Sequence, residues 1–469
     1  MINPDYIYCA DQVKKKLTDN MFTMGSQKTF EEFNLFYPGQ EDDNISIAVI
    51  ASNPSMYTRA RVVYKYIGMQ GCRVSVQLGK QYEKIDFDII KDFKFFVIEK
   101  IIDPRTLYHL KDLARSNHGA VIFDLDDLFY DLHPQHKLFY QYDPSKEESK
   151  RNIEAFEFTI KHCDHVFYST RELMGHLEHL NPNCSLMPNF LDIEDRYSKA
   201  TKRDWKSLAI KQGCYVDDET TILGFYGSES HTPDLENLGN VIHKILEQNP
   251  NTLIGICFGV DGIAHVCYHK WQIPYNKFVY FHVKNLKEFL NDVKCFDVGL
   301  APLIHSNFNY SKTALKLMEL NCLGIPYLCS KIANNHRYHI ESGGVGGFEC
   351  NSDEDWINYA NLLLKDKDLR EKMGQAGKDF VYKYHDVSRS FMPFMNTLRS
   401  IHHNTYKHLK TPHHFQLFDI YNNIPRAKTS YNEQDVCPCG SGDLYIDCKN
   451  DCYPAWGKVI KEEICQQNS

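Results

Sequence analysis

The sequence predicts an α/β protein made of two successive doubly wound units followed by a small C-terminal zinc knuckle. Three observations predict it. Apolar runs of strand length alternate with helix-period segments from about residue 44 to about residue 400. A polar stretch, Tyr197–Asp218, divides that alternation into two series. Four cysteines, Cys437, Cys439, Cys448 and Cys452, fall within sixteen residues near the end of the chain.

A chain of 469 residues is long enough for two or three separate cores. Its 43% hydrophobic and 24% charged residues fit a globular protein. The net charge of −8 argues against nucleic acid as the main partner. Of the 16 cysteines, Cys163, Cys257, Cys295 and Cys322 stand singly in or beside apolar segments. They read as buried thiols of a reducing compartment rather than a disulfide framework. The first residues, MINPDYIYCADQVKKKL, lack an apolar core with a cleavage site, and no run of about 18 apolar residues occurs. A cytoplasmic protein is expected, with room for peripheral contact at the inner face of a membrane.

Residues 1–43 form an N-terminal extension, expected to be helical at Tyr6–Leu17 and Phe30–Phe36. The first domain, 44–200, begins with the buried strand Asn44–Ser52. Helix Thr58–Gln70 ends at Gly71 before strand Arg73–Gln77. Strand Phe93–Glu99, helix Pro104–Asn117 and strand Ala120–Asp126 follow. Helix Ile153–His162, strand His165–Ser169, helix Arg171–Leu180 and strand Ser185–Pro188 complete the unit. The second domain, 201–385, runs through strand Thr221–Tyr226, helix Asp234–Glu247, strands Thr252–Phe258 and Lys277–Val283, and helix Leu286–Val293. Strand Phe296–Leu300, a helix and strand Tyr327–Ser330 come next, then helices Asp353–Lys365, Asp368–His385 and Ser388–His402. Residues 386–435 are a cross-over helix and linker, and 436–469 a zinc-binding tail. Alternating strands and helices imply parallel sheets covered on both faces, with ligands beyond the carboxyl ends of the strands.

The segment 296–330, FDVGLAPLIHSNFNYSKTALKLMELNCLGIPYLCS, carries the clearest chemistry. Ser311 and Lys312 stand at its loop-to-helix junction. Lys316 and Glu319, three residues apart, share a helix face. Amides at a helix start attract phosphate, lysines neutralise it, and a carboxylate accepts hydrogen bonds from sugar hydroxyls. These are the needs of a nucleotide-diphosphate site. The bland alternative is an amphipathic helix on a sheet with solvated Lys and Glu. In Gly227–Leu235, small residues follow a strand and Pro233 suits the next helix start. Gly227, Ser228 and His231 are candidate donor contacts; the competing reading is a helix cap beside a surface histidine. VIFDLDD ends a first-domain strand with Asp124 and Asp126 on one side and Asp127 opening the turn. His133 and His136 follow as candidate proton carriers. Arg59 and Arg61, at a helix start, could meet an anionic acceptor or a donor phosphate, or be surface charge.

Ala301-Pro302, Glu319 and Gly324-Ile325-Pro326 resemble the donor-binding segment of glycosyltransferases of the GT-B fold, particularly family four and its relatives. Many members carry two glutamates separated by seven residues; Glu319 fits the second, and the first falls on Ser311. A subgroup variant, Ser/Ala-Lys-x-x-x-Lys-x-x-Glu, is matched by Lys312, Lys316 and Glu319. The loop Gly227–Leu235 resembles the subgroup's Gly-Ser-x-x-His-x-x-Asp-Leu. Arg59 and Arg61 resemble its Arg-x-Arg, and Pro188-Asn189 its Pro-Asn-Gly with Phe190 in place of Gly. The resemblance implies two Rossmann-like domains and a nucleotide-diphosphate sugar donor. The acceptor would be a saccharide, lipid-linked or protein group, and the anomeric configuration would be retained. In the implied front-side mechanism the leaving phosphate helps deprotonate the acceptor, with no protein nucleophile and no catalytic metal required. Asp126, Asp127, Lys316 and Glu319 would be the catalytic set, and Arg59, Arg61 and Asp124 the acceptor side. Three readings of the Asp-x-Asp compete: a capped turn, a divalent-metal site, and the nucleophile pair of a haloacid-dehalogenase phosphatase. A catalytically inactive GT-B adaptor is the alternative for the whole chain.

The tail spacing C-x-C, eight residues, C, three residues, C, with glycines between, suits tetrahedral structural zinc. Cys437-Pro438-Cys439-Gly440-Ser441-Gly442 resembles the SEC-C motif. Lys449 stands where that motif has its last ligand, so Cys452 is the substitute. A closed site of this kind implies an interaction module for a protein partner or a membrane surface.

Overall fold

The computed structural model describes residues 35–37, 39, 45–51, 59–78, 85–99, 104–129, 132–134, 136, 138–143, 145–227, 229–257, 271, 273–281 and 286–406. Its first sheet contains β1 (Leu35–Tyr37), β2 (Ser46–Ala51), β3 (Arg73–Leu78), β4 (Phe95–Glu99), β5 (Ala120–Leu125), β6 (His165–Tyr168) and β7 (Cys184–Leu186), in the order β1-β3-β2-β4-β5-β6-β7. All pairings are parallel except β1 with β3. Every residue of β2, β4 and β5 is buried, as expected for strands covered on both faces. Helices α1 (Pro104–Ser116), α2 (Glu147–His162) and α3 (Arg171–Leu177) supply crossovers.

The second sheet is wholly parallel. It runs β10-β9-β8-β11-β12-β13, from β8 (Thr221–Tyr226), β9 (Thr252–Cys257), β10 (Phe278–Phe281), β11 (Val298–Ala301), β12 (Tyr327–Ser330) and β13 (Gly347–Cys350). Its helices include α4 (Thr232–Glu236), α5 (Gly239–Gln248), α6 (Asn307–Ser311), α7 (Leu315–Cys322), α8 (Ala333–Glu341), α9 (Asp353–Lys365) and α10 (Lys367–Tyr384). Each sheet reverses its strand order once, between β2 and β4 and between β8 and β11. Ligand crevices of open α/β sheets lie at such reversals, beyond the carboxyl ends of the strands.

The end of α7 shows how local sequence sets the frame. The amide of Gly324 donates to Asn321 O (2.8 Å) and that of Ile325 to Leu320 O (2.9 Å), a paired closure of the last turn. Gly324 has φ +76°, a conformation that side chains disfavour, and Pro326 then prevents continuation. The chain thereby drops straight into β12.

Several elements differ from the sequence reading. Leu35–Tyr37, expected as the end of a helix, is a strand, because it finds an antiparallel partner in Val74–Val76. The single helix expected at Asp234–Glu247 is split into α4 and α5. The polar stretch Tyr197–Asp218 contains the helix Trp205–Lys211, capped by Asp204, with Trp205 and Ala209 buried. Helix α8 and strand β13 went unread; β13 is a short edge strand with two half-buried residues, so it lacks an apolar run. The nine described cysteines, Cys163, Cys257, Cys295 and Cys322 among them, are buried free thiols. No described helix is long and apolar enough to cross a membrane.

After α10 the chain returns to the first domain. Leu191 and Asp386 form a parallel bridge, with the Leu191 amide donating to His385 O and the Val387 amide to Leu191 O (both 2.9 Å). The two crossings therefore lie side by side. Helix α11 (Phe391–Tyr406) buries Phe394, Met395 and Leu398 against Val49, Tyr64 and Phe167 of the first domain. The Phe394 ring meets Tyr64 edge-on at 5.4 Å. Removing it leaves a cavity in the first core. Phe394→Ala should lower stability by about 3–5 kcal/mol in urea unfolding, with the loss falling on the first domain although the residue follows the second in sequence.

Candidate active site

Strand β8 delivers Phe225 and Tyr226 to the order reversal of the second sheet, and Gly227 follows. A Cβ on Gly227 would stand 2.9 Å from His231 Cδ2 and 3.4 Å from Lys316 Nζ, so a side chain here would fill the space those groups border. His231 comes from the turn before α4. Its Nδ1 lies 2.8 Å from Asp234 Oδ2. The other Asp234 oxygen accepts from the Ile304 amide (2.9 Å) and from Asn309 Nδ2 (2.8 Å). One buried carboxylate, 2% exposed, thus holds the loop after β8, the loop after β11 and helix α6 together. Burial works against its charge, but His231 and then the Ile304 amide hold its pKa below the usual carboxylate value.

Helix α7 supplies Lys316. Its Nζ is buried, has no hydrogen-bond partner, and sits 4.3 Å from the Phe225 ring centroid and 5.4 Å from that of Tyr226. Burial is the main cause of its pKa falling to about 7; Asp234 and Glu319 oppose the fall and Lys312 adds to it. His231 is held down to about 3, by burial first and then by Lys316 and Lys312. Lys312 lies at the end of α6, its ammonium 4.5 Å from the Phe308 ring centroid.

The first domain reaches this site at several points. His136 packs edge-on against Phe308 at 4.7 Å. Its Nδ1 accepts the Leu138 amide (3.1 Å), which puts the proton of the neutral ring on Nε2. That Nε2 is buried and unpartnered. Burial, then Lys312, lowers the ring's pKa to about 4, so it is a neutral donor at pH 7. Thr170 Oγ1, at the N-cap of α3, donates to Ser311 O (2.8 Å), and Asn189 Nδ2 to Thr313 Oγ1 (3.3 Å). Arg337 of α8 pairs with Glu172 of α3.

The structure therefore brings Gly227, His231, Lys312 and Lys316 together, with His136 across from them. Asp126 and Asp127 follow β5 and are half-buried; the charge of Asp127 is felt by His136. Other expectations need correction. The helix was expected to start at Ser311 and Lys312, but those residues end α6, whose first turn is capped by Ser306. Helix α7 starts at Leu315 after Ala314, which makes no side-chain cap. Ser311 is buried and donates its hydroxyl to Asn307 O (2.9 Å), so it is turned away from the site. Glu319 is 2% exposed and does not stand open to a ribose. Tyr197 donates to its Oε1 (2.6 Å) and Tyr226 to its Oε2 (2.8 Å).

Arg59 and Asp124 are likewise not open to an acceptor. Arg59 Nε lies 2.8 Å from Asp124 Oδ1, and Tyr64 donates to Asp124 Oδ2 (2.7 Å). The remaining Arg59 nitrogens donate to the carbonyls of Pro188 (3.0 Å) and Met187. Both residues are 4% exposed. With both oxygens engaged, Asp124 is neither half of an open metal-binding pair nor an exposed phosphatase nucleophile. Among the described residues no group of three or more His, Cys, Asp or Glu side chains is placed to hold a metal ion. Ser228, the Arg61 side chain and Cys437, Cys439, Cys448 and Cys452 lie outside the described residues.

Asp234, Tyr197, Tyr226 and Asn309 were missed as site residues. Asp234 was legible as the carboxylate three residues after His231. Tyr197 meets Glu319 across 122 positions, and no local pattern signals that.

No family model and no curated protein matches the sequence. Solved structures do match. HepE from Anabaena in complex with UDP and glucose aligns over 76% of this chain and 100% of its own, with TM-score 0.53 and 11% identity. Sucrose-phosphate synthase from Thermosynechococcus elongatus aligns over 76% and 99%, with TM-score 0.51 and 10% identity. WaaG, a glycosyltransferase involved in lipopolysaccharide biosynthesis, aligns over 75% and 99%, with TM-score 0.50 and 12% identity. Together with the two sheets, this likeness shows the GT-B fold.

The Arg59–Asp124 pair has a structural signature that can be measured. Arg59→Ala would leave a carboxylate buried without its counter-charge. It should cost about 3–5 kcal/mol of stability, read as a lowered urea midpoint, whereas an exposed arginine would cost almost nothing.

Proposed function

We propose that this protein is a retaining, nucleotide-sugar-dependent glycosyltransferase of the hexosyltransferase class. The observation that carries the reading is the Lys316 ammonium, buried without a partner at the order reversal of the second sheet. A buried cation lacking acceptors is unfavourable unless a ligand supplies them. The diphosphate of a nucleotide sugar supplies both acceptors and negative charge. The fold it shares with HepE, whose structure holds UDP and glucose, supports the same reading.

In this reading Lys312, Lys316, the Ser228 amide and the amides at the α7 start grip the diphosphate, and Gly227, lacking a side chain, leaves the space open to it. His231 is fixed beside them by Asp234. Glu319 acts through Tyr197 and Tyr226, keeping α7 and the end of β8 in register. His136 offers its Nε2–H to a hydroxyl of the transferred sugar or of the acceptor. Asp126 and Asp127 orient the acceptor, a saccharide, lipid-linked or protein hydroxyl, and Arg61 would meet an anionic group of acceptor or donor. The departing phosphate helps remove the acceptor proton on the face it leaves, so the protein contributes position and charge stabilisation. Cys437, Cys439, Cys448 and Cys452 would hold a structural zinc ion in a tail that binds a protein partner. The protein would work in the cytoplasm, in contact with the inner face of a membrane where the acceptor is lipid-linked.

A second reading, an inactive GT-B adaptor, is favoured by the engagement of Glu319 with two tyrosines. Calorimetry with UDP, GDP and ADP, and a hydrolysis assay on the matching nucleotide sugars, separate the two. One nucleoside diphosphate should bind and its sugar should be slowly hydrolysed. Lys316→Ala should lower kcat/KM by about 100- to 1000-fold, as loss of one charge-stabilising donor does. No binding and no turnover would leave the adaptor.

A further inference from the structure

The seat of Lys316 is unusual for an ammonium. Two aromatic faces, Phe225 and Tyr226, form it, and no oxygen reaches the nitrogen. The charges that face it come from every element around it. Asp234 stands on α4, Lys312 at the end of α6, and Glu319 one turn along α7. Of these, Glu319 gives both oxygens to tyrosine hydroxyls and Asp234 gives its oxygens to His231, Ile304 and Asn309. His231, on the same rim, has its Nδ1 against Asp234 and is repelled by both lysines. From the first domain, His136 feels Lys312, Asp127 and Asp234. Neither carboxylate therefore reaches Lys316 directly, and the second lysine repels it.

On the donor reading above, we infer that a nucleoside diphosphate enters this site together with one proton, which Lys316 takes up as its nitrogen meets the phosphate oxygens. The step forms a single N–H bond on the amine with a proton from solvent, and no bond to phosphorus changes. The direction follows from the surroundings. In the empty site, burial holds Lys316 near neutrality, to about 7. A bound diphosphate favours the charged form and moves the pKa up. Below pH 7 the amine is already protonated and binding exchanges no proton. Above it the empty site is neutral, so affinity falls as pH rises until the pKa of the bound state is passed, by up to tenfold per unit. His231 and His136 titrate far below this range and stay neutral donors or acceptors.

The experiment is titration calorimetry of the full chain with UDP at pH 8.0, in buffers of different ionisation enthalpy. At that pH the terminal phosphate of the ligand, with a pKa of about 6, has already lost its proton. Close to one proton should be taken up per site. The UDP Kd should rise about tenfold between pH 7.5 and 8.5 and stay flat between pH 5.5 and 6.5 once ionisation of the ligand is subtracted. Lys316→Arg, whose guanidinium stays charged, should bind UDP with no uptake and no such rise. UDP binding without proton uptake in the wild-type protein overturns the inference and leaves the donor reading intact. Uptake that persists in Lys316→Arg puts the proton elsewhere and overturns it as well. If UDP, GDP and ADP all fail to bind, the donor reading falls and the inference falls with it. The wild-type measurements decide the matter even where the arginine variant does not fold.

Discussion

Asp234 is the contact on which the rest of the site depends. The loops after β8 and β11 are irregular backbone at the end of a covered sheet, where polar groups lack ladder partners. One carboxylate satisfies three of their donors: His231, the Ile304 amide and Asn309. Taking that charge out of water costs several kcal/mol unless such bonds replace hydration. The bonds fix the shape of both loops, and the charge offsets the lysines at the mouth of the site. It also sets the tautomer of His231, whose Nδ1 proton points at Asp234 and whose Nε2 is left as an acceptor.

Two buried polar clusters are structural. Arg59, Asp124 and Tyr64 satisfy one another and two backbone carbonyls, and Glu319 is met by two tyrosines. These clusters fix a first-domain turn to the end of β7, and α7 to β8 and the interdomain crossing. Lys316 Nζ and His136 Nε2, by contrast, are buried donors without a hydrogen-bond partner. An unmet buried donor is costly, so each marks a place where a ligand oxygen would be favourable.

Much of this was legible in the sequence. The strands β2, β4, β5, β8 and β9 announce themselves as unbroken apolar runs. Gly324-Ile325-Pro326 marks a helix end and a strand start, Lys316 stands out by its spacing from Glu319, and His231 by the resemblance of its loop. The misses have physical causes. Alternation put Asp124 and Asp126 on the same side of a strand but gave no depth, and depth decided that Asp124 pairs with Arg59. The start of α7 was misplaced because Ser306 caps an extra turn first. The partners of Glu319 come from a distant crossing and the end of another strand. Local pattern gives direction, whereas long-range packing decides which polar groups remain available.

The donor segment is also held from the opposite side. Thr170 caps α3 and, with the same hydroxyl, donates to Ser311 O, while Glu172 pairs with Arg337 and His136 lies on Phe308. These contacts combine hydrogen bonds, an ion pair and one ring contact. The two chain crossings at Leu191 and Asp386 run together and concentrate the connection between the lobes in one place. On the donor reading, Asp234 and Lys316 stand on elements of the second domain alone, and the first domain adds a further buried donor, His136 Nε2.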